Sequence, residues 1–503
     1  MKLKRLLKGL DGKTSLLGGD AEITSIAIDS RHVRKGALFV AIKGFKTDGS
    51  RFIKEAIEKG ARAIVTEEKI CDLSRDVSNI LVSNSKKALS IVTKNFYNSP
   101  SERLKVVGIT GTNGKTTVAF LTQSIFNASG VPCGLIGTVE CRSGKGVTAS
   151  TMTTPDALSV NFLLDRMIEN GLKAVSMEVS SHALDQLRVD DLLFDVAIFT
   201  NLTHEHLDYH GSLKNYMAAK MRIFKNLKRG GSAIINTDDI SGRKALRRIE
   251  GRKIVTYGLR GKPHISADIK EANIYGSKLI IKVHKTDEIP VNTRLIGMHN
   301  ISNILAATAA GIAQGFSGKD IKRGIEKVNA VTGRLEPVEM GQQFKIFIDY
   351  AHTHRALENV LTFLKKLRSE GRIITVFGCG GERDKKKRPL MGAIAQKYSD
   401  IAIITNDNPR NEDPEMIIRD IISGIDERKA GFFVMKNRKK AIEKALKEAR
   451  TGDIVLIAGK GHENTQVVGS KAFPFNDKEI TESLLRKSSR AMVTSSLRGA
   501  VKS

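Results

Sequence analysis

Short apolar runs recur along this chain and alternate with amphipathic stretches. In the first hundred residues the runs are ITSIAIDSR, GALFVAI and NILVSN, with FIKEAIEKGARAIVTEE before the last. Phe52, Ile53, Ala56 and Ile57 would share one side of a helix, and the β-branched runs suit strands. This predicts a small α/β unit over residues 1–98. A second block, 99–333, begins with Val106, Val107, Gly108 and Ile109. Ala174–Met177, Val196–Phe199 and Ala233–Ile235 are its further buried-strand candidates, with helical stretches between the first three and another near Ile304–Ala313. That alternation predicts a mostly parallel sheet covered on both faces. KLIIKVHKTDEI partly alternates and reads as an antiparallel excursion. The third block, 334–485, offers Ile346–Ile348, Ile373–Phe377, Ile401–Thr405 and Ile454–Ala458 as strands. In RKKAIEKALKEAR, the residues Ala441, Ile442, Ala445, Leu446 and Ala449 form one stripe, supported by the i,i+4 pair Glu443–Lys447. This block reads as a second doubly wound unit. The serine-rich, basic tail 486–503 is expected to be flexible or loosely attached.

Composition narrows the function classes. A chain of 503 residues suggests three domains, and 41% hydrophobic with 27% charged residues is too apolar for a disordered chain. Lys and Arg number 82 against 54 Asp and Glu, a net charge of +28. Such a balance attracts phosphates, nucleic acid or an anionic membrane surface. Trp is absent and only 7 Tyr occur, without aromatic–basic interleaving, so a stacking platform for nucleic acid is not expected. Cys71, Cys133, Cys141 and Cys379 form no CxxC pair, which favours a reducing compartment and no zinc knot. The first twenty residues are too broken for a signal peptide, and no run is long enough to span a membrane. A soluble cytoplasmic protein follows, with at most weak association with anionic surfaces.

The strongest local signal is GITGTNGKTT, Gly108 to Thr117, between a strand and a helix beginning near Lys115. Gly111 and Gly114 let the backbone curl, and the helix N-terminus favours an anion. Thr112 and Asn113 complete the turn. Lys115 would reach the β/γ-phosphates of a nucleotide, and Thr116 would put a hydroxyl on Mg²⁺. Ile109 stands where the general pattern has glycine, so the loop is a variant. Kinases, hydrolases and ligases all use such a loop.

Two further segments follow predicted strand ends, where open α/β sheets hold ligands. MEVSSHALDQ brings Glu178, and TNLTHEHLDYHG brings His204, Glu205, His206, Asp208 and His210. A carboxylate plus imidazole would hold Mg²⁺ or Mn²⁺ near a γ-phosphate, or a transition-metal hydrolase centre. No HExxH occurs. His204 and His210 read as hydrogen-bonded structural residues. Lys220, in NYMAAKMRIF, reads from the pattern alone as an ordinary lysine at the rim of the stripe Tyr216, Ala219 and Ile223.

Taken in order, GTNGKTT, TTPD, EVSSHAL, TNLTHEHLDYHG, YMAAK, NTDD, GRLE, DYAHT, GCGGERD, DNPR and GKGHE resemble the ATP-dependent Mur ligases of peptidoglycan synthesis. The likeness covers nearly the whole chain and is strongest to members that add the third residue of the stem peptide. It implies three domains: a small N-terminal α/β domain for the UDP end of the substrate, a central P-loop ATPase-like parallel-sheet domain, and a C-terminal Rossmann-like α/β domain for the incoming amino acid. It implies ATP, two Mg²⁺ ions, UDP-N-acetylmuramoyl-L-Ala-D-Glu and meso-diaminopimelate as ligands, and a monomer. The implied reaction passes through an acyl phosphate, which the amine of the amino acid then attacks.

By the same resemblance, Ser30, Arg31 and the turn at Asp48 would lie by the uridine nucleotide. Thr153, Thr154, Ser180, Gln186 and Arg188 would contact the muramoyl-dipeptide. Glu178 and His206 would be metal ligands, with Thr116 and Thr117 at the loop metal. Lys220 matches a lysine that the family carbamylates with CO₂, orienting a second Mg²⁺. Asn300 and Asn303 would lie at the adenine, with Arg334 and Asp349 also at the nucleotide and His352 in the same motif. Asp407, Asn408, Pro409 and Arg410, with Arg383, Gly459 and Glu463, would form the amino-acid pocket. Arg410 would pair with a distal carboxylate and Glu463 with a distal ammonium. L-lysine lacks that carboxylate and would leave Arg410 unmatched. The family usually has Arg-Asp where this chain has His204-Glu205, and Pro-Asp where it has His354-Arg355. The basic run Arg383–Pro389 is expected to offer Arg383 to the pocket and its lysines to solvent. A lysine-adding ligase, a folylpolyglutamate or cyanophycin synthetase and a nucleic-acid-binding NTPase are the alternatives. DNPR together with the N-terminal IDSR block disfavours the synthetases.

Overall fold

The computed structural model describes residues 1–487 except 16–18, 45–46, 71–75, 151, 250, 285–286, 369 and 430. Most of the basic tail therefore lies outside the described residues, as does Cys71. Residues 486 and 487 end a helix spanning 477–487. The chain divides into two compact units. One holds Met1–Asp268, Leu279–Val291 and His299–Lys327; the other holds Ile269–Lys278, Asn292–Met298 and the chain from Val328 onward.

In the first unit, β1 (Gly12–Ser15), β2 (Ser25–Ala27), β3 (Ala37–Val40), β4 (Ala63–Thr66) and β5 (Ser78–Val82) form a sheet of order β1-β5-β4-β3-β2. β1 runs antiparallel to β5 and the other pairs are parallel. Strand alternation sends Leu38 and Val40 into one apolar cluster with Leu3 and Val65. It sends Ala37 and Phe39 into another with Ile53 and Ala56. Phe52 departs from its expected place. The helix is Ile53–Glu58, and Phe52 ends a preceding 3₁₀ turn and is exposed. Asp48 starts that turn by accepting from Ser50 N at 2.9 Å.

The large sheet contains β6 (Lys105–Thr110), β7 (Cys133–Ile136), β8 (Glu140–Arg142), β9 (Val147–Ala149), β10 (Ala174–Glu178), β11 (Phe194–Phe199), β12 (Leu227–Asn236), β13 (Lys253–Tyr257), β14 (Ile265–Asn273), β15 (Gly276–Val283) and β16 (Asp287–Thr293). Its order is β16-β15-β14-β13-β12-β11-β6-β10-β7-β8-β9. The stretch β7-β10-β6-β11-β12-β13 is parallel throughout, as the buried apolar runs require. β15 and β16 are neighbours in the sheet order, and the KLIIKVHKTDEI stretch runs from one into the other. The chain leaves β6 for β7, returns through β10, and then crosses to β11 on the other side of β6. Such a reversal opens a crevice beyond the strand ends.

In the second unit, β17 (Glu336–Pro337), β18 (Lys345–Asp349), β19 (Ile373–Phe377), β20 (Ile401–Ile404), β21 (Phe432–Val434) and β22 (Ile454–Ala458) form a sheet of order β17-β18-β22-β19-β20-β21. All pairs but β17–β18 are parallel. Helices Lys387–Tyr398 and Pro414–Ile422 cover one face through Met391, Ile417 and Ile421. Helix Arg438–Glu448 covers the other through the expected Ala441, Ile442 and Ala445. Its Glu443–Lys447 pair closes at 2.7 Å.

The basic run needs a correction. Lys385 and Lys386 are exposed, but Lys387 and Arg388 are buried. They begin helix Lys387–Tyr398, whose inward face takes them. Lys387 Nζ donates to His352 O at 2.7 Å, and Arg388 pairs with Glu412 and Asp420, each at 2.9 Å. Among the described residues no helix is long and apolar enough to cross a membrane.

Candidate active site

Strand pairing brings three sequence motifs to one place. Ile109 of β6 stands opposite Glu178 of β10, and Thr110 opposite Phe199 of β11. The glycine loop, Glu178 and the Thr200–Asn201 turn therefore leave the sheet side by side. Gly111 has φ +148° and Gly114 φ +88°, the half of backbone space that favours glycine. A Cβ on Gly111 would lie 1.9 Å from Thr200 Oγ1, and one on Gly114 would lie 2.4 Å from Asn303 Oδ1. Thr112 N donates to Asn201 O and Asn113 N to Asn201 Oδ1, both at 2.9 Å. Thr200 Oγ1 donates to Asn113 O at 2.6 Å. These two loop amides thus hold the loop's shape. The first bond of helix Lys115–Ala128 is Val118 N to Gly114 O at 2.9 Å, so the turn before it presents the positive helix end to the loop. Lys115 Nζ folds over the loop, donating to Gly111 O at 2.9 Å and Thr112 O at 2.8 Å. Asn303 Nδ2 donates to Asn300 Oδ1 at 3.1 Å, and both residues are buried on helix Met298–Ala313.

Glu178 is buried and collects hydroxyl and amide donors. Thr116 Oγ1 and Thr138 Oγ1 each donate to its Oε2 at 3.0 Å, and Thr138 N donates to Oε1 at 2.7 Å. This clusters oxygen atoms beside the loop, a donor set suited to a hard cation. Lys220 is not the rim lysine that its stripe suggests. It is 1% exposed, and its Nζ donates to Gly111 O at 2.8 Å and lies 4.5 Å from the Tyr216 ring centre. Burial, with help from the charge of Lys115, pushes its amine well below the usual lysine range.

His206 (φ +57°) starts the short helix Leu207–His210. Its ring lies 4.8 Å from that of His182 and 6.1 Å from that of Tyr216. Crowding by protein, then the Lys115 and Lys220 charges, holds His206 below the usual imidazole range against the opposing pull of Glu205. Burial and the neighbouring His206, His210 and Arg188 charges bring His182 down to about 4. His210 is buried with Nε2 3.0 Å from Ser181 Oγ, the structural role expected of it. Among the described residues no three His, Cys, Asp or Glu side chains converge to hold a metal on their own.

The residues expected at the muramoyl-dipeptide form one network. Thr154 Oγ1 donates to Glu178 O at 2.9 Å and accepts from Ser180 N at 3.0 Å. Thr138 Oγ1 and Thr153 Oγ1 lie 3.1 Å apart. Arg188 donates to Thr154 O at 2.9 Å and to Gln186 Oε1 at 2.7 Å. Gln186 in turn donates to Tyr209 OH at 3.2 Å. In the N-terminal sheet domain, Ser30 is buried and donates to Glu55 Oε2 at 2.7 Å, whereas the Arg31 side chain is 80% exposed and pairs with Asp29.

In the second unit, the ends of β18, β19, β20 and β22 carry DYAHT, GCGGERD, DNPR and GKGHE. Asp349 is buried, and its carboxylate accepts from Leu335 N at 2.7 Å and Ala351 N at 2.8 Å. Burial raises its carboxyl against the pull of Arg334, whose guanidinium lies 4.9 Å from the Tyr350 ring centre. His352 Nδ1 is 2.9 Å from Tyr350 O. Arg410 has φ +52°, and its side chain donates to Gly381 O at 2.6 Å. A Cβ on Gly380 would lie 3.1 Å from Arg410 Nη1 and 3.8 Å from the Arg383 Cγ methylene. Asn408 donates to Glu463 Oε2 at 2.7 Å, a Cβ on Gly459 would lie 2.7 Å from Asp407 Oδ2, and Pro409 O packs on Gly381. Arg383, Asp407, Asn408, Pro409, Arg410, Gly459 and Glu463 are thus neighbours around Gly380 and Gly381 and the end of β22. Four further residues were not named singly from the sequence: Thr138, Thr200, Asn201 and Lys460, whose Nζ donates to Asn408 Oδ1 at 3.1 Å. The last three lie inside the TNLTHEHLDYHG and GKGHE motifs, and Thr138 lies in none of the quoted motifs.

Comparison with known proteins identifies the relatives. The family model described as Mur ligase middle domain matches residues 109–311, that of the Mur ligase glutamate ligase domain matches 333–461, and that of the Mur ligase family catalytic domain matches 22–97. A UDP-N-acetylmuramoyl-L-alanyl-D-glutamate--2,6-diaminopimelate ligase from Clostridioides difficile is 42% identical over 490 residues, covering 97% of this chain and all of its own. A ligase of the same name from Aquifex aeolicus is 44% identical over 467 residues, covering 92% and 94%. A solved structure of a ligase with that name superposes with a TM-score of 0.66 at 30% identity, covering 93% of this chain and 95% of its own.

Proposed function

The chain belongs to the Mur ligase family, and we propose that this ATP-dependent ligase of peptidoglycan synthesis joins meso-diaminopimelate to the D-Glu carboxyl of UDP-N-acetylmuramoyl-L-Ala-D-Glu. The observation that carries the reading is the cluster built by DNPR and GKGHE, where Arg410 Nη1 lies beside Gly380 and Asn408 donates to Glu463 Oε2. An amino acid with a carboxylate and an ammonium at its far end matches that distribution of charge.

The D-Glu carboxylate attacks the γ-phosphate of ATP, forming an acyl phosphate and releasing ADP. The amine of the amino acid then attacks the acyl carbon, loses a proton and expels phosphate. Lys115 and the end of helix Lys115–Ala128 hold the phosphates, and Asn300 and Asn303 support the loop near the adenine. The family likeness assigns Arg334 and Asp349 to the nucleotide as well. Thr153, Thr154, Ser180, Gln186 and Arg188 orient the dipeptide, and Ser30 and Arg31 lie by the uridine nucleotide. The enzyme needs no protein nucleophile, so alignment and charge neutralisation dominate.

Glu178 and His206 would hold Mg²⁺, with Thr116 and Thr117 at the loop, and Lys220 as a carbamate would help orient a second ion. When bound, the ions neutralise charge spreading over the transferred phosphoryl group. Lys220 fits conversion to a carbamate, because burial favours the neutral amine that reacts with CO₂. The product carries a negative charge in place of a positive one. We place the enzyme in the cytoplasm as a monomer, supplying precursors for cell-wall growth and division.

Trapping tests the acyl phosphate. With ATP, Mg²⁺, UDP-N-acetylmuramoyl-L-Ala-D-Glu and hydroxylamine, but no amino acid, the expected product is the D-Glu hydroxamate with ADP. ATP turnover that ignores the dipeptide substrate and responds to polynucleotide would contradict the reading.

A further inference from the structure

The amino-acid pocket contains a buried cation that its ligand-facing residues do not account for. Lys460 is 0% exposed, yet it lies in the loop after β22 with no secondary structure to impose burial. Its Nζ donates to Asn408 Oδ1 at 3.1 Å and to Glu463 Oε2 at 3.0 Å, and lies 3.9 Å from Asp407 Oδ1. A lysine is almost never buried unless paired. Here it sits among two carboxylates and an amide oxygen.

The consequence for the pocket is directional. Asn408 Oδ1 also accepts from Val467 N at 2.9 Å, so two donors fix its amide. Nδ2 must then face Glu463, and it donates to Oε2 at 2.7 Å. Both internal donors fall on the same oxygen of Glu463, while its side chain stays 30% exposed. Neither of these donors takes Oε1.

We infer that Lys460 is a positioning residue of the amino-acid site: as internal counter-ion of Glu463 and Asp407 it locks the Asn408 amide and aims one carboxylate oxygen at the ammonium of the incoming amino acid. The inference rests on the proposed function and adds to it. Lys460 touches no substrate; it acts through Asn408 and Glu463. Without it, Asp407 and Glu463 would be left with the charge of Arg438, which is itself paired with Asp477, and the Asn408 amide could turn over.

Lys460→Met keeps the aliphatic stem and removes the charge. Loss of hydrogen bonds to charged groups predicts KM for the amino acid raised about 10- to 100-fold, with KM for ATP changed less than about twofold. Lys460→Arg should restore part of the KM effect. A merely structural lysine would instead lower the melting temperature and kcat and leave KM for the amino acid in place. That pattern overturns the inference, as does an unchanged KM. Wild-type product decides the underlying reading separately. If wild type uses lysine, the diaminopimelate assignment falls and the Lys460 effects are scored on lysine. Turnover with neither amino acid overturns both.

Discussion

Individual side chains carry most of this account, and two of them make its clearest residue-scale predictions. Lys220 was illegible by periodicity because its stripe neighbours are apolar, and a lysine at a stripe's edge ordinarily reaches solvent. Only the tertiary approach of Gly111 O to Nζ, at 2.8 Å, explains its burial. Lys220→Ala should lose nearly all ligation, with partial recovery on adding short carboxylates; full activity in the unrescued variant would refute the carbamate. Arg410→Ala should lower kcat/KM for diaminopimelate about 10- to 100-fold while leaving ATP binding near wild type, since a charge-assisted pair is lost at one ligand only. Steady-state kinetics with each substrate varied in turn checks this, and equal losses for both ligands would contradict it. The same scale shows where a local rule failed. The run RDKKKRP looks solvated, but the helix starting at Lys387 turns Lys387 and Arg388 inward, where His352 O, Glu412 and Asp420 receive them.

Strand ends organise both sites at the scale of elements. Four apolar runs of the central block were readable as strands because parallel strands are buried on both faces. Their order was not readable, because a sequence does not record which strand lies beside β6. The alignment of Ile109 with Glu178 and of Thr110 with Phe199 brings the loop, the carboxylate and the Thr200 turn together. Thr138 stayed hidden for the same reason: it grips Glu178 from a loop after β7, far away in sequence. Gly111→Ala tests the loop's close packing. A Cβ 1.9 Å from Thr200 Oγ1, at φ +148°, should cost about 1–3 kcal/mol of stability and raise KM for ATP, read by thermal melting and kinetics.

The loop after β22 also predicts a pH effect. Burial, then the charges of Arg334, His352 and Lys460, lowers His462 to about 4 from the ordinary 6.5. The unfolded state therefore binds more protons between those values, and stability falls as pH drops from 6.5 toward 4. His462→Phe should flatten that slope by about one proton in denaturant titrations across the range.

The whole molecule combines two α/β units, each with its functional residues beyond the carboxyl ends of a parallel sheet. The division into 1–98, 99–333 and 334–485 follows composition and motif order, whereas the compact units group the first two blocks and start the last near Val328. Among the site residues, Arg31, Lys115, Arg188, Lys220, Arg334, Arg383, Arg410 and Lys460 are basic and Glu178, Asp349, Asp407 and Glu463 are acidic. Most of the +28 excess therefore lies elsewhere in the chain. The central claim concerns which amino acid the assembled molecule joins. The direct measurement supplies ATP, Mg²⁺ and UDP-N-acetylmuramoyl-L-Ala-D-Glu with equal meso-diaminopimelate and L-lysine, and weighs the product by mass spectrometry. The account predicts the diaminopimelate-containing tripeptide with stoichiometric ADP and phosphate; the lysine-containing tripeptide as main product would contradict it.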